Sequence, residues 1–324
     1  MRLEQTLSAL ALVGFAAAAA AQGWSPKRSV EIVVGFSAGG SQDLTARTVE
    51  RLLVANKLVN VPIAVVNKAG AGGSIAYAYV SQRPGDGHTL MVAGTSLING
   101  HILGTNAFNY SDFTPIASLF NDYIAFSVNA ASPLRTGKDV VERVKKDPKS
   151  LAIGVISIGS GAHVSALLLN KAIGGNARDL KVVSFKAGTE VMTNLLGGHI
   201  ELATNTAVLA ETHVAAGRVR VVAVASPKRL GGALAAVPTW TEQGVNLVVS
   251  NWRAILGPKG MAAAQTAYWE TTLRRVTETA EWKADLERNF WVDDFATSAQ
   301  FRKDLDKDYA DAKSVFVELG LAKQ

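Results

Sequence analysis

No cysteine occurs anywhere in the 324-residue chain. That absence removes disulfides, thiol catalysis and thiolate metal ligation together, and with them the acylated cysteine that anchors an exported lipoprotein. Histidine is scarce. His88, His101, His163, His199 and His213 show neither the H-x-x-x-H nor the H-E-x-x-H spacing with which a helix offers two imidazoles to a metal. Nucleotide loops are incomplete: Val164 stands where a G-x-G-x-x-G begun at Gly159 needs its last glycine, and Gly137-Lys138 runs into Asp139 with no glycine five residues upstream. The G-x-S-x-G elbow of a serine hydrolase fails around Ser160, where Ile158 takes the first position. A net charge of +6 is carried by scattered bases, and the densest cluster, Arg143-Val144-Lys145-Lys146, has no interleaved aromatics. Composition therefore argues against nucleic acid as a partner.

What is present begins with Arg2, an apolar run Leu7–Ala20 and small residues ending at Ala19-Ala20-Ala21. Residues 1–21 read as a cleaved secretory signal, and no later stretch approaches the roughly 20 apolar residues that span a bilayer. The expected mature protein is periplasmic, monomeric and free of cofactor, and it is held together by its core.

The chain is organised around Val33-Val34-Gly35-Phe36-Ser37-Ala38-Gly39-Gly40-Ser41-Gln42-Asp43, an apolar strand, a small-residue bend and a helix start. Such a bend leaves the first backbone N–H groups of the helix unpaired and aimed at whatever fills it, and the default occupant is an anion. The phrase recurs at Gly94-Thr95-Ser96, at Ser157-Ile158-Gly159-Ser160-Gly161 and at Ala187-Gly188-Thr189. These mouths are expected to converge on one small carboxylate.

Periodicity predicts strands at Ser29–Phe36, Ile63–Val66 and Thr89–Ala93 alternating with helices at Ser41–Ala55 and Ser74–Gln82, the order of a parallel sheet flanked by helices. Thr136 is placed to cap a helix ended by Pro148, and Leu151–Ile156, Val182–Phe185 and Ile200–Ala203 repeat the alternation. The continuous apolar run Val219–Ala225 is the kind expected in the middle of a parallel sheet. After Trp252–Leu256 the remainder reads as helical. The expected fold is α/β: two lobes, each a mostly parallel sheet flanked by helices, hinged by two crossings. Residues 22–125 with 250–324 form the first lobe and 126–249 the second.

Six landmarks in register carry a family resemblance: Phe36–Asp43, Asn67–Gly73, Asp86–Leu90, Leu195–Glu201, Ala216–Arg220 and Val237-Pro238-Thr239. Together they resemble the Bug-type, or TctC, extracytoplasmic solute receptors of tripartite tricarboxylate transporters over nearly the whole mature chain. The resemblance implies a periplasmic receptor that holds a di-, tri- or aromatic carboxylate between its lobes and delivers it to one large and one small integral membrane permease subunit. It places ligand contacts at Phe36, Ser37, Gly39, Gly40, Ser41 and Asp43, at Thr95, Ser96 and Asn99, at Ser157, Gly159, Ser160 and His163, and at Gly188, Thr189 and Asn205. Asp43 is expected to tie its own loop together. Asn205 stands where the family often has aspartate, which suits a plain acid better than an amino acid. Ala38 and Ala69 replace usual prolines, and Phe185 a frequent tyrosine. The grip is expected to come from peptide dipoles and hydroxyls without an arginine. Two alternatives remain open at this level: a sensory receptor using the same cleft, and a hydrolase using Ser160 and His163.

Overall fold

The computed structural model describes residues 23–323, so the expected signal segment lies outside the described residues. The first sheet grows from β1 (Val30–Val34), a β-branched strand buried except at Glu31. It pairs in parallel with β2 (Ile63–Asn67) on one side and β3 (Thr89–Gly94) on the other. Beyond β3 the sheet turns antiparallel, through β10 (Trp252–Pro258), β4 (Phe113–Asn121) and β11 (Val292–Thr297). The second sheet runs β7 (Lys181–Phe185), β6 (Ala152–Ile156), β8 (Leu202–Thr206), β5 (Ile124–Asn129) and β9 (Val219–Val224). Its β6 pairs in parallel with β7 and β8, whereas β5 is antiparallel to both neighbours.

The two-lobed α/β architecture is as expected, with three corrections. Both sheets are mixed, because β10 and β11 in one and β5 in the other run against the parallel strands. β9 lies at an edge, not in the middle, and its apolar run is buried by the flanking segment that bridges Thr239 to Val224 and seats Trp240. The stretch after Leu256 is not wholly helical: β11 adds to β4, and Trp291 just before it stacks on Phe120 with ring centroids 4.1 Å apart.

Local chemistry explains where the helices begin. In α4 (Gly137–Lys146) Thr136 and Asp139 form a reciprocal capping box, Val140 and Val144 face the core, and Arg143, Lys145 and Lys146 occupy the last turn, where positive charge suits the helix dipole. The other helices are α1 (Ser41–Ala55), α2 (Ser74–Ser81), α3 (Ser96–Ile102), α5 (Gly161–Ala172), α6 (Gly188–Leu196), α7 (Val208–Ala215), α8 (Ala263–Thr277), α9 (Ala280–Arg288) and α10 (Ser298–Glu318). Among the described residues no helix is long and apolar enough to cross a membrane.

Among the described residues the chain passes between the sheets twice. Asp122 and Tyr123 link β4 to β5, so the expected boundary at 125/126 falls inside a strand. The return passes through Ser250 and Asn251 into β10. The crossings are stitched together: the Asp122 N–H donates to Asn251 O at 3.0 Å, Asn251 Nδ2 donates to Asp122 O at 2.6 Å, and Ser250 Oγ donates to Asn121 Oδ1 at 2.8 Å.

Candidate functional site

In the first sheet the chain leaves β1 for β2 on one side and returns to β3 on the other, so the C-terminal ends of β1 and β3 flank a topological switch point. The second sheet repeats this around β6, with β7 on one side and β8 on the other. Ligands of open α/β sheets sit at such points because consecutive loops diverge there and leave a crevice. Here the two crevices face each other. Between them lies a cavity lined from the first sheet by Phe36, Gly40, Ser41, Gln42, Thr95 and Ser96, and from the second by Ile156, Ser160, Gly161, Ala162, Gly188 and Thr206. The starts of α1, α3, α5 and α6 all open on this space, and Thr206 precedes α7. The α1 and α6 starts carry no side-chain cap, so their leading N–H groups remain free to meet an anion.

The first loop is fixed from behind. Gly39 adopts φ +79°, which turns its N–H toward Asp43, and Asp43 Oδ2 accepts it at 2.9 Å. Asn67 Nδ2 then donates to Asp43 Oδ1 at 2.9 Å and to Phe36 O at 3.1 Å, while Arg47 Nε donates to Asp43 Oδ2 at 2.9 Å. Burial alone would raise the Asp43 carboxyl, but hydrogen bonds from Arg47, Gly39 and Asn67 hold it below the usual carboxylate range. Asp43 is thus a loop tie, and neither it nor the exposed Gly39 lines the cavity.

On the far side Ser160 caps α5: its Oγ accepts the His163 N–H at 3.2 Å and donates to Ser157 O at 3.0 Å. His163 Nδ1 accepts the Gly159 N–H at 3.1 Å. Both side chains are turned to backbone groups instead of to each other, which is not the nucleophile–base arrangement a hydrolase needs. Burial lowers the His163 imidazole to about 4, so it is neutral near pH 7. Asn205 is committed as well, its Nδ2 to Gly188 O at 2.9 Å and its Oδ1 to the Thr206 N–H at 3.1 Å.

The floor overturns the expectation of an arginine-free cavity. Arg253, on β10, lines it beside Asn251. Its Nη2 is 3.2 Å from Asp122 Oδ2, its Nη1 donates to Asn251 Oδ1 at 3.1 Å and Trp252 O at 3.0 Å, and Nη2 reaches Ser41 Oγ at 3.3 Å. Ser41 Oγ in turn donates to Asp122 Oδ2. The guanidinium is therefore neutralised in place, and what it presents to the cavity is a rigid, saturated hydrogen-bonding surface. Burial pushes the Asp122 carboxyl upward, against the pull of Arg253 and Ser41. A sequence signal existed: Arg253 interrupts an otherwise apolar strand, and a charge in such a strand needs a partner.

Of the positions expected at the site, Phe36, Gly40, Ser41, Thr95, Ser96, Ser160, Gly188 and Asn205 line one cavity. Ser37 and Ser157 line a neighbouring chamber that shares Phe36, and Asn99 a third space beside Thr95 and Gly161. Gly159 and His163 lie buried behind the wall, and Thr189 is exposed. Ile124, Leu209, Gln42, Asn251 and Arg253 also line the cavity and were not foreseen.

A family model described as "Tripartite tricarboxylate transporter family receptor" (TctC) matches residues 46–321. The chain belongs to that family. A relative from Cupriavidus necator, a UPF0065 protein of the gbd 5' region, is 26% identical over 97% of this chain and 98% of its own. The solved periplasmic binding protein BugD superposes with a TM-score of 0.83 at 23% identity, covering 92% of this chain and 100% of BugD. An R. palustris structure, Rpa4515 with adipate, does so with a TM-score of 0.84 at 24% identity, covering 92% and 99%. As a TctC-family solute-binding receptor with the fold of periplasmic binding proteins, the chain has its helix-start cavity where the two lobes meet.

Proposed function

We propose that this TctC-family receptor captures a small organic carboxylate between its lobes, in the periplasm, and delivers it to the large and small membrane subunits of a tripartite transporter. The observation that carries the reading is the convergence of four helix starts, from both lobes, on one cavity whose only lining charge among the described residues is already neutralised by Asp122. A cavity of this kind offers N–H groups and hydroxyls and no free carboxylate, so it selects for negative charge. Four or five such contacts, less the cost of ordering, amount to the order of −8 kcal/mol that corresponds to micromolar binding. That the same fold holds adipate in another protein supports the reading. The lobes, residues 23–121 with 252–323 against 124–249, would close about Asp122-Tyr123 and Ser250-Asn251.

A thermal-shift screen over small organic acids, followed by calorimetry, tests this. One or more carboxylates is expected to raise Tm and to be recovered unchanged after long incubation. Failure of every acid to bind, or turnover of the one that does, overturns the proposal.

A further inference from the structure

The two lobes also meet away from the cavity, at the far end of α10. This helix belongs to the first lobe: Phe301 packs edge-on against Trp252, Phe316 is buried, and the Lys323 N–H beyond its end donates to Ile102 O at 2.8 Å. The helix ends on Gly320 at φ +64°, and the Leu321 N–H turns back to Phe316 O at 2.8 Å. That end is electrically one-sided. Glu318 stands in a last turn that contains no base, where the peptide dipole already gathers negative charge. The compensation comes from the second lobe. Lys171, in the last turn of α5, donates to Glu318 Oε2, and Arg178, between α5 and β7, donates through Nη2 to Gly320 O.

The opposite end of α5 abuts the first lobe as well: a Cβ on Gly159, just before it, would lie 3.3 Å from Gly100 N in α3. Asp308, ten residues before Glu318, lies beside Trp252, the residue after the return crossing. The Lys171 and Arg178 contacts therefore sit about 15 Å along α10 from the hinge, far enough for a small rotation to break them.

We propose that Lys171 and Arg178 form an electrostatic clasp on the C-terminus of α10 that favours the closed arrangement of the lobes before any acid arrives. Rotation about Asp122-Tyr123 and Ser250-Asn251 draws α5 off α10 and leaves Glu318 uncompensated at a negative helix end; closure returns two cations to it. The Lys171 and Glu318 side chains are 34% and 62% exposed, so the clasp is weak enough to open and is screened by salt. It rests on the two-lobed fold and not on the identity of the ligand. Through the closure equilibrium it bears alike on every acid that needs the closed cleft.

Because the chain has no cysteine, spin labels can be confined to Val54→Cys on α1 and Lys145→Cys on α4, both exposed positions, one on each lobe. The distance distribution between them, measured without added acid, reads the closed fraction. Lys171→Glu and Arg178→Ala are each expected to lower the closed-to-open ratio by about 3-fold, and added salt to lower that of the wild type. Exchanging the pair, Lys171→Glu with Glu318→Lys, should restore most of the closed fraction. Distributions unchanged in both single variants, a fall in Tm without any shift in distance, or no recovery in the exchanged pair overturns the clasp. None of these outcomes touches the carboxylate reading, which the acid screen decides separately.

Discussion

Arg253 and Asp122 form an ion pair at 3.2 Å with side chains 7% and 0% exposed, and each sits at a different crossing between the sheets. The pair therefore welds the two connections into one junction and forms the floor of the cavity. Asp122 Oδ1 has no partner, so the pair is held by a single carboxylate oxygen.

Removing one partner leaves the other charge buried and uncompensated, which costs about 3–5 kcal/mol in comparable sites. Asp122→Ala is expected to lower unfolding stability by that amount in urea titrations. The double variant Asp122→Ala with Arg253→Met should lose much less than the sum of the single changes, since no charge is then stranded. A loss under about 1 kcal/mol for Asp122→Ala would contradict the assigned geometry.

The His163 imidazole is lowered from 6.5 to about 4 by burial. A depressed folded-state pKa contributes stability that is present above about 6.5 and lost as pH falls through about 4, because the unfolded chain takes up the proton first. Acidification across that window should therefore cost the wild type on the order of 3 kcal/mol more than it costs His163→Gln. Parallel stability–pH curves for the two proteins would rule this out.

Gly161 opens α5 against the opposite lobe, and a Cβ there would meet Asn251 Oδ1 at 2.5 Å. Gly161→Val is expected to prop the lobes apart and weaken every bound acid by about 10-fold or more while each lobe keeps its fold. Scattering profiles with and without acid would detect the lost closure. By contrast Gly40, at φ −83° with only Ser37 O near its would-be Cβ, has no backbone requirement for glycine, and of these two bend residues it is Gly39 that needs the left-handed region.

Asn205→Asp should weaken acid binding at pH 7 for two reasons: it adds a like charge at the cavity wall, and it replaces the amide N–H that Gly188 O accepts. Affinity is expected to recover as pH falls and the new carboxyl protonates. Tighter binding of an acid by this variant would refute the assignment of the wall.

Most elements were legible in the sequence because their signals are local. Thr136 with Asp139, Ser160 at the start of α5 and the glycine bend at 39–40 are set by interactions within a few residues, and they appear where their spacing places them. β11 was missed because Val292–Thr297 carries two aspartates and only half-buries its end, so its pairing to β4 supplies what its own composition does not. The order of strands was also out of reach: the apolar run of β9 looks central and is an edge.

By itself the sequence determined the strand–glycine–helix phrases, hence the number of helix starts able to meet an anion, because a peptide dipole and a free N–H depend only on local backbone. Only the tertiary structure decided which of these face one cavity, and that Ser37 and Ser157 look into a second. It also decided the fate of Arg253, whose partner lies 131 positions away and is brought to it by the crossing of two sheets. Charge burial is settled by long-range contacts, and no local pattern carries them.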